Sequence, residues 1–471
     1  MPSPPVAMLG GMKLNATFTK LAILAVITLL LCLVLSEIGG LVHERQARQR
    51  EASQNIEQSL AGPQALAGPL LVRECRESWP VISAGKKETV ETRDIRLVAP
   101  PHHLKVAGGL SPEVRYRGLF KVNTYLSELT LEASWDSTAE LTPRAEHPNG
   151  RVGCSAPVVA VAVSDPRGLR AAELKRDGRV LAVQPGTTHP AYRGLHATLP
   201  DLRDGEPLAL SLKLSVVGSR RLGIVPAGAD TQVALQSSWP HPSFTGQFLP
   251  VERNVGASGF AARWQVSSLA STAASDLQAG GALPNLSDGT VPAVSAYDEA
   301  ARAKANALEV LAVELIDPVN PYMMSHRAIK YGLMFIVLTF VTVGLTELLT
   351  GRRVHPVQYL LVGLALSLFF LLLLSLSEHL PFLVAYLVAA GAAAAVLTQY
   401  AAAMLGGWLR GLSFGGGITL LYGALYVLLS REQTALVIGA LLLFAVLTTV
   451  MIVTRRMDWY GLGAARLGQA D

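Results

Sequence analysis

Serine, histidine, glutamate and cysteine are the residues whose spacing could do chemistry in this chain. Gly411-Leu412-Ser413-Phe414-Gly415 has the G-x-S-x-G spacing that presents a serine nucleophile at a strained strand-to-helix turn. It opens a long apolar run with no strand before it. Helix packing through the small residues Gly407, Gly411 and Gly415 is therefore the better reading. Gly256-Ala257-Ser258-Gly259 also sets a serine between glycines, but it reads as a turn in a soluble segment. His43-Glu44 starts like a zinc-protease helix, yet position 47 is alanine where the second histidine is needed. There is no Walker A run and no dinucleotide fingerprint. The expectation is a chain that is not an enzyme, with no catalytic residue, no cofactor and no metal.

A second set of polar residues lies in or beside apolar runs: Glu347, His355, Glu378, His379 and Tyr386. Glu347 could reach the interface, pair with Arg352 or Arg353, or serve a buried ionic role. Glu378-His379 could bind a cation, relay protons, or form a solvated turn. His355-Pro356 suits the start of a helix. Tyr386 fits an interfacial or interhelical place.

The elements that must hold these residues follow from where charge is missing. The chain has 471 residues, 50% hydrophobic, 16% charged and 6% aromatic, with mean hydropathy +0.36. Residues 331–454 carry only Glu347, Arg352, Arg353, Glu378, Arg410, Arg431 and Glu432. A membrane-spanning helix needs roughly 20 mostly apolar residues. Six are expected: an uncleaved signal anchor at 16–36, then 329–350, 357–377, 381–405, 411–430 and 433–454. Residues 1–15 and 455–471 are the flanking segments.

Lys13, Lys20, Arg352, Arg353, Arg410, Arg455, Arg456 and Arg466 fall on one side, which the positive-inside rule makes cytoplasmic. Both termini are then cytoplasmic. The segment between the first two spans is extracytoplasmic, periplasmic in a Gram-negative cell. Arg45, Arg48 and Arg50 oppose the rule locally. The net charge of +5 says little about nucleic acid, which is not expected as a partner. The lipid bilayer is.

Residues 37–61 read as a polar helical stalk, and 62–328 as a β-rich domain. Leu208–Val216 alternates in period two, as does Leu129–Trp135. Val158–Val163, Val180–Val183, Gln232–Leu235, Phe260–Val266 and Leu308–Ile316 are further strand candidates, with turns at Asp165-Pro166, Asp177-Gly178 and Asp204-Gly205. Packed antiparallel sheets are expected. Residues 271–300, rich in Ala, Ser, Gly, Pro and Asp, read as a flexible loop. The fold class is thus a polytopic α-helical membrane protein. A large β-rich (α+β) extracytoplasmic domain is inserted between its first membrane helix and five C-terminal ones.

Cys75 and Cys154 share that domain and could form one disulfide or remain two buried thiols. Cys32 lies in the first membrane helix. Trp239-Pro240-His241-Pro242-Ser243-Phe244 is stiffened by two prolines. It reads either as a buried corner or as a rigid recognition surface formed by Trp239, His241 and Phe244.

The run Asp317-Pro318-Val319-Asn320-Pro321-Tyr322, then Arg327-Ala328-Ile329-Lys330-Tyr331-Gly332, then Arg353-Val354-His355-Pro356-Val357-Gln358-Tyr359, and Ser375-Leu376-Ser377-Glu378-His379, resembles the CreD family of bacterial inner-membrane proteins. Gly62–Pro69 and Ser238–Pro250, followed by Gly259-Phe260 and Trp264, carry the same resemblance. Ser267–Thr272 departs from the family's polar pattern. The resemblance implies a multi-pass protein in the output of a two-component regulatory system, linked to envelope integrity, colicin tolerance and β-lactam response. It supplies no catalytic residue. The combined expectation is a non-enzymatic envelope-stress protein that binds or senses an envelope component or an unidentified partner protein. A transport or channel component is the alternative, with Glu347, Glu378 and His379 as its polar elements.

Overall fold

Long runs without an internal proline make helices here, and alternating runs make strands. The computed structural model describes residues 16–82, 88–190, 192–286, 307–317, 320–350, 354–430 and 435–455. The expected segment 1–15, all of the expected segment 455–471 but its first residue, the pairs Arg352-Arg353 and Arg431-Glu432, and residues 287–300 lie outside these. The chain divides into two units, one from residues 49–318 and one from residues 1–48 with 319–471.

The first helix, α1 (Ala16–Ser59), is a single element of 44 residues, about 66 Å long. The anchor and the polar stalk, expected as separate pieces, are one uninterrupted helix because residues 37–59 hold strong helix formers and no proline.

The strands are β1 (Gln64–Ile82), β2 (Glu88–Ala99), β3 (His103–Arg117), β4 (Phe120–Trp135), β5 (Arg151–Cys154), β6 (Val158–Val163), β7 (Leu169–Arg176), β8 (Arg179–Leu181), β9 (Gln184–Pro185), β10 (Gly194–Thr198), β11 (Leu208–Ser219), β12 (Arg221–Ile224), β13 (Asp230–Ser237), β14 (Pro242–Gly246), β15 (Glu252–Gly256), β16 (Gly259–Ser267) and β17 (Leu311–Leu315). One sheet runs β14-β17-β12-β1-β6-β10-β9, with β2 and β5 also paired to β1. The other runs β15-β16-β13-β3-β4-β11-β7-β8. Their inner faces share one core, in which Leu66, Leu71 and Val161 of the first sheet meet Leu104, Leu131, Leu212 and Trp264 of the second. β11 shows the cause: Leu208, Leu210, Leu212, Leu214 and Val216 point inward while the residues between them do not. Trp135 and Trp264 are buried whole, and each indole N–H donates to a backbone carbonyl, of Ala99 at 3.0 Å and Phe248 at 3.2 Å.

The stretch expected as a loop at 271–300 begins with a short helix, α2 (Ala273–Gln278). Ala273 and Leu277 are buried on its inner side, and Ser271 and Thr272 are tied to Glu309. Composition hid two core contacts.

Cys75 and Cys154 form a disulfide between directly opposed residues of β1 and β5. Two residues along β1, the side chain of Glu77 is buried. It accepts the backbone N–H groups of Glu146 and His147, each at 2.8 Å, and His147 Nδ1 lies 3.3 Å away. The backbone hydrogen bond from His147, foremost, holds this carboxyl below its ordinary range, against the opposing effect of burial. A depressed folded-state pKa favours the charged form in the fold. Its contribution is full above the ordinary value of 4.5 and is lost as pH falls through the folded value. Urea midpoints followed by tryptophan fluorescence are therefore expected to fall more steeply below about pH 5 in the native protein than in Glu77→Gln. Equal slopes would refute this.

The second unit contains α1 up to residue 48, then α3 (Pro321–Thr350), α4 (Pro356–Ser377), α5 (Phe382–Leu405), α6 (Trp408–Ser430) and α7 (Ala435–Thr454). Among the described residues, five of these six helices are long and apolar enough to cross a membrane, and α7 contributes a further apolar stretch, Val437–Ile452. The second span, expected from 329, starts eight residues earlier, where Asn320 Oδ1 accepts the Tyr322 N–H beside Pro321. The polar run Ser325-His326-Arg327, which the expected boundary at 328 assigned to the β-rich domain, is part of this helix.

Candidate functional site

The outer face of the eight-stranded sheet is hollow because its side chains are small. Ala107 and Gly109 are outward residues of β3, Ala234 of β13, and Ala261 of β16. Two adjoining hollows, of about 460 and 530 Å³, open over them. The register lays residues across the strands in rows. One row reads Asn254, Ala261, Gln236, Gly109. The next reads Glu252, Arg263, Ala234, Ala107. Large polar side chains thus alternate with missing ones in the first row, and two of each stand side by side in the second.

Asn254 and Gln236 stand two strands apart, roughly 10 Å, with only the Ala261 methyl between them. Each amide offers donors and an acceptor, and neither makes a side-chain hydrogen bond among the described residues. Arg263 and Glu252 pair at 3.1 Å beside them and are two-thirds exposed. Ser237, Ser238 and Ser258 add hydroxyls at one end. A shallow trough with planar amides, hydroxyls and a salt-bridged rim can hydrogen-bond a polar chain laid along it. Ser258 belongs to the β15–β16 turn, where Gly259 has φ +129°; no base accompanies it in the lining of the hollow.

The Trp239–Phe244 segment is where the chain crosses from one sheet to the other. Its members separate by role. Trp239 Nε1 donates to the Ile316 carbonyl at 2.9 Å, and Lys121 lies 5.6 Å over its ring. Phe244 on β14 meets Phe260 and Trp264 edge-on, at 5.7 and 5.6 Å, and so ties the two sheets together. The His241 carbonyl accepts from Ile316 N while its side chain is exposed. Pro240 and Pro242 are half-buried and fix this corner. Trp239 and Phe244 hold structure; His241 faces out, close in sequence to Ser238 at the end of the trough.

In the helical unit the polar residues gather at two ends. Glu347 accepts from Lys20 Nζ at 2.5 and 2.6 Å and from the Tyr359 hydroxyl at 3.1 Å, and Lys20 also donates to the Val354 carbonyl. Its partner is thus Lys20, while the expected Arg352 and Arg353 lie outside the described residues. At the other end Glu378 pairs with Arg45 at 3.2 Å and accepts from Tyr322. Arg45, which had opposed the charge rule, is neutralised there. His379 is exposed in the turn. His355 caps α4, its Nδ1 accepting from Val357 N and Gln358 Oε1 accepting from His355 N. Tyr386 donates to the Tyr422 carbonyl at 2.6 Å. Buried Leu31, Phe335, Ile336, Val362, Leu366 and Phe370 fill the unit between the two ends.

Ser413 donates to the Arg410 carbonyl on an exposed face. Gly411 packs on Ala402, where a methyl would come within 2.5 Å of its Cβ, and Gly415 packs on Thr398; Gly407, expected with them, faces open space. Cys32 is the free cysteine. Among the described residues no group of three His, Cys, Asp or Glu is placed to hold a metal.

The family model described as "Inner membrane protein CreD" matches residues 16–460. The chain is 34% identical over 455 residues to the inner membrane protein CreD of Escherichia coli (strain K12), covering 96% of this chain and 95% of that one. Among solved structures, an M1 zinc metallopeptidase from Deinococcus radiodurans aligns with TM-score 0.22 at 10% identity, over 46% of this chain and 42% of that one. A substituted form of the same enzyme, bound to a Tyr-Ser-Ala substrate, aligns with TM-score 0.21.

Proposed function

The chain belongs to the CreD family of inner membrane proteins, and from that premise we propose that it protects the cell envelope by binding a wall glycan in the trough of its β-rich unit. The protein is a multi-pass protein of the inner membrane. The row of Asn254, Ala261, Gln236 and Gly109 carries the reading. Its amides are spaced to reach hydroxyls on both sides of one sugar ring, and its missing side chains leave room for that ring. The β-rich unit is extracytoplasmic in this proposal. Lys20, Arg410 and Arg455 are the cationic helix ends retained in the cytoplasm, and the Cys75–Cys154 disulfide suits an oxidising compartment. The protein acts without catalysis, as a binding or sensing element made in response to envelope stress.

Gly109→Val tests this directly. A Cβ there would rest 3.7 Å from the Gln236 carbonyl, an ordinary contact, so the side chain fills the hollow without breaking the sheet. A deletion strain is expected to be more sensitive to β-lactams than wild type, and cells carrying Gly109→Val or Gln236→Ala/Asn254→Ala are expected to match it at unchanged protein abundance. Wild-type tolerance in both would refute the trough. Phe244→Ala is expected to lower abundance itself, because it loosens the join between the sheets.

A further inference from the structure

A third hollow, of about 490 Å³, lies between α1 and α3 within the helical unit. Cys32, Leu35, Ser36, Gly39, Gly40 and His43 line it from one face of α1, spaced three and four apart. His326, Ile329, Lys330 and Leu333 line it from one face of α3. The glycines make the space: a Cβ at Gly40 would meet nothing within 4 Å, and one at Gly39 would only touch Ile329.

The Lys20–Glu347 pair sets the depth scale. Counting about 1.5 Å per residue from it, Cys32 lies roughly 18 Å up, Lys330 roughly 26 Å, His326 roughly 32 Å and His43 roughly 35 Å. A hydrocarbon layer is about 30 Å thick. The two imidazoles therefore sit at headgroup level, and Lys330 just below it, on a stem long enough to reach up. Polarity runs the same way, from Cys32, Leu35 and Leu333 below to His326, His43 and Lys330 above. The rings of His43 and His326 meet edge-on at 4.8 Å, and His43 Nδ1 is bonded to the Gly39 carbonyl at 2.8 Å. Neighbouring charges are spent elsewhere: Arg45 on Glu378, and Glu44 on Arg48. Lys330 has no ion pair among the described residues. Glu37, on α1, is not among the lining residues.

We propose that this hollow holds one acyl chain of an anionic phospholipid, with the lipid phosphate at His43, His326 and Lys330. The apolar floor accepts the chain, and the Lys330 ammonium at the mouth selects the headgroup. The proposal is independent of what the β-rich unit binds.

The test uses full-length protein in nanodiscs of equimolar phosphatidylglycerol and phosphatidylcholine. The protein is released into mild detergent, and the retained lipid is measured by mass spectrometry. Wild type is expected to retain phosphatidylglycerol about fivefold over phosphatidylcholine, the scale of one lysine at a charged bilayer surface. Lys330→Ala, an exposed position, is expected to bring the ratio near one, and Lys330→Arg to restore it. Gly40→Leu is expected to reduce both retained lipids together at unchanged melting temperature. A wild-type ratio near one overturns the proposal. So does a preference that Lys330→Ala leaves intact, or a folded Gly40→Leu protein with a full lipid load.

Discussion

Replacing Cys75 and Cys154 together by alanine is expected to lower the stability of the β-rich unit by about 4 kcal/mol. The bond closes a loop of 79 residues, and the chain-entropy cost of leaving such a loop open is of that size. No buried side chain of its own holds β5 in place. It is four residues long, with none of its side chains buried, and it pairs with β1 alone. Its other fastenings lie mostly at its flanks: Ser155 N and Oγ donate to the Glu74 carbonyl, Arg73 and Ser78 donate to the carbonyls of Ser155 and Arg151, and Glu77 grips the backbone at Glu146 and His147, whose ring stacks on Trp79 at 3.7 Å. Urea unfolding read from the buried Trp135 and Trp264 measures the effect, and reduction of the native protein is expected to reproduce it. A loss below about 1 kcal/mol would show that the bond closes no loop the unfolded chain resists.

Glu347→Leu alone is expected to destabilise the helical unit by about 2 kcal/mol, and Lys20→Met/Glu347→Leu to recover most of that loss. Removing one partner of a buried pair strands the other charge, at a typical cost of about 3–5 kcal/mol. The side chains here are 27% and 16% exposed, so solvent reduces the penalty. Tyr359 makes the single change worse, because its hydroxyl also loses its acceptor. Melting temperature in detergent and abundance in the membrane fraction both report this. A double variant no better than Glu347→Leu would mean that the pair is not the link between α1 and α3.

Where period and charge carry the signal, the fold was legible. Val158–Val163 was read at the bounds of β6, and the alternation from Leu208 marked the start of β11. β1 was not legible. Gly68-Pro69 and Pro80 break its pattern, and burial of consecutive residues from Ala65 to Ala67 and from Leu70 to Val72 removes the alternation, since it lies inside a sheet. The ion pairs were invisible for another reason. Lys20 and Glu347 are 327 residues apart, and only packing of α1 on α3 joins them. Trp239 to Phe244 stood out because prolines and aromatics are conspicuous. The trough did not, because it is built from what Ala107, Gly109, Ala234 and Ala261 lack. The one available sign was small residues at the outward positions of otherwise ordinary strands.

The central claim is that the outward face of the eight-stranded sheet binds envelope glycan. Photo-crosslinking amino acids placed singly at Gln236, Asn254 and Arg263 in living cells test it most directly. Val180, exposed on β8 at the far edge of the same sheet, is the control. After wall digestion, glycan fragments identified by mass spectrometry are expected on the protein from the three trough positions and not from Val180. Capture that is equal at all four positions, or that yields no glycan at the trough, would contradict the account.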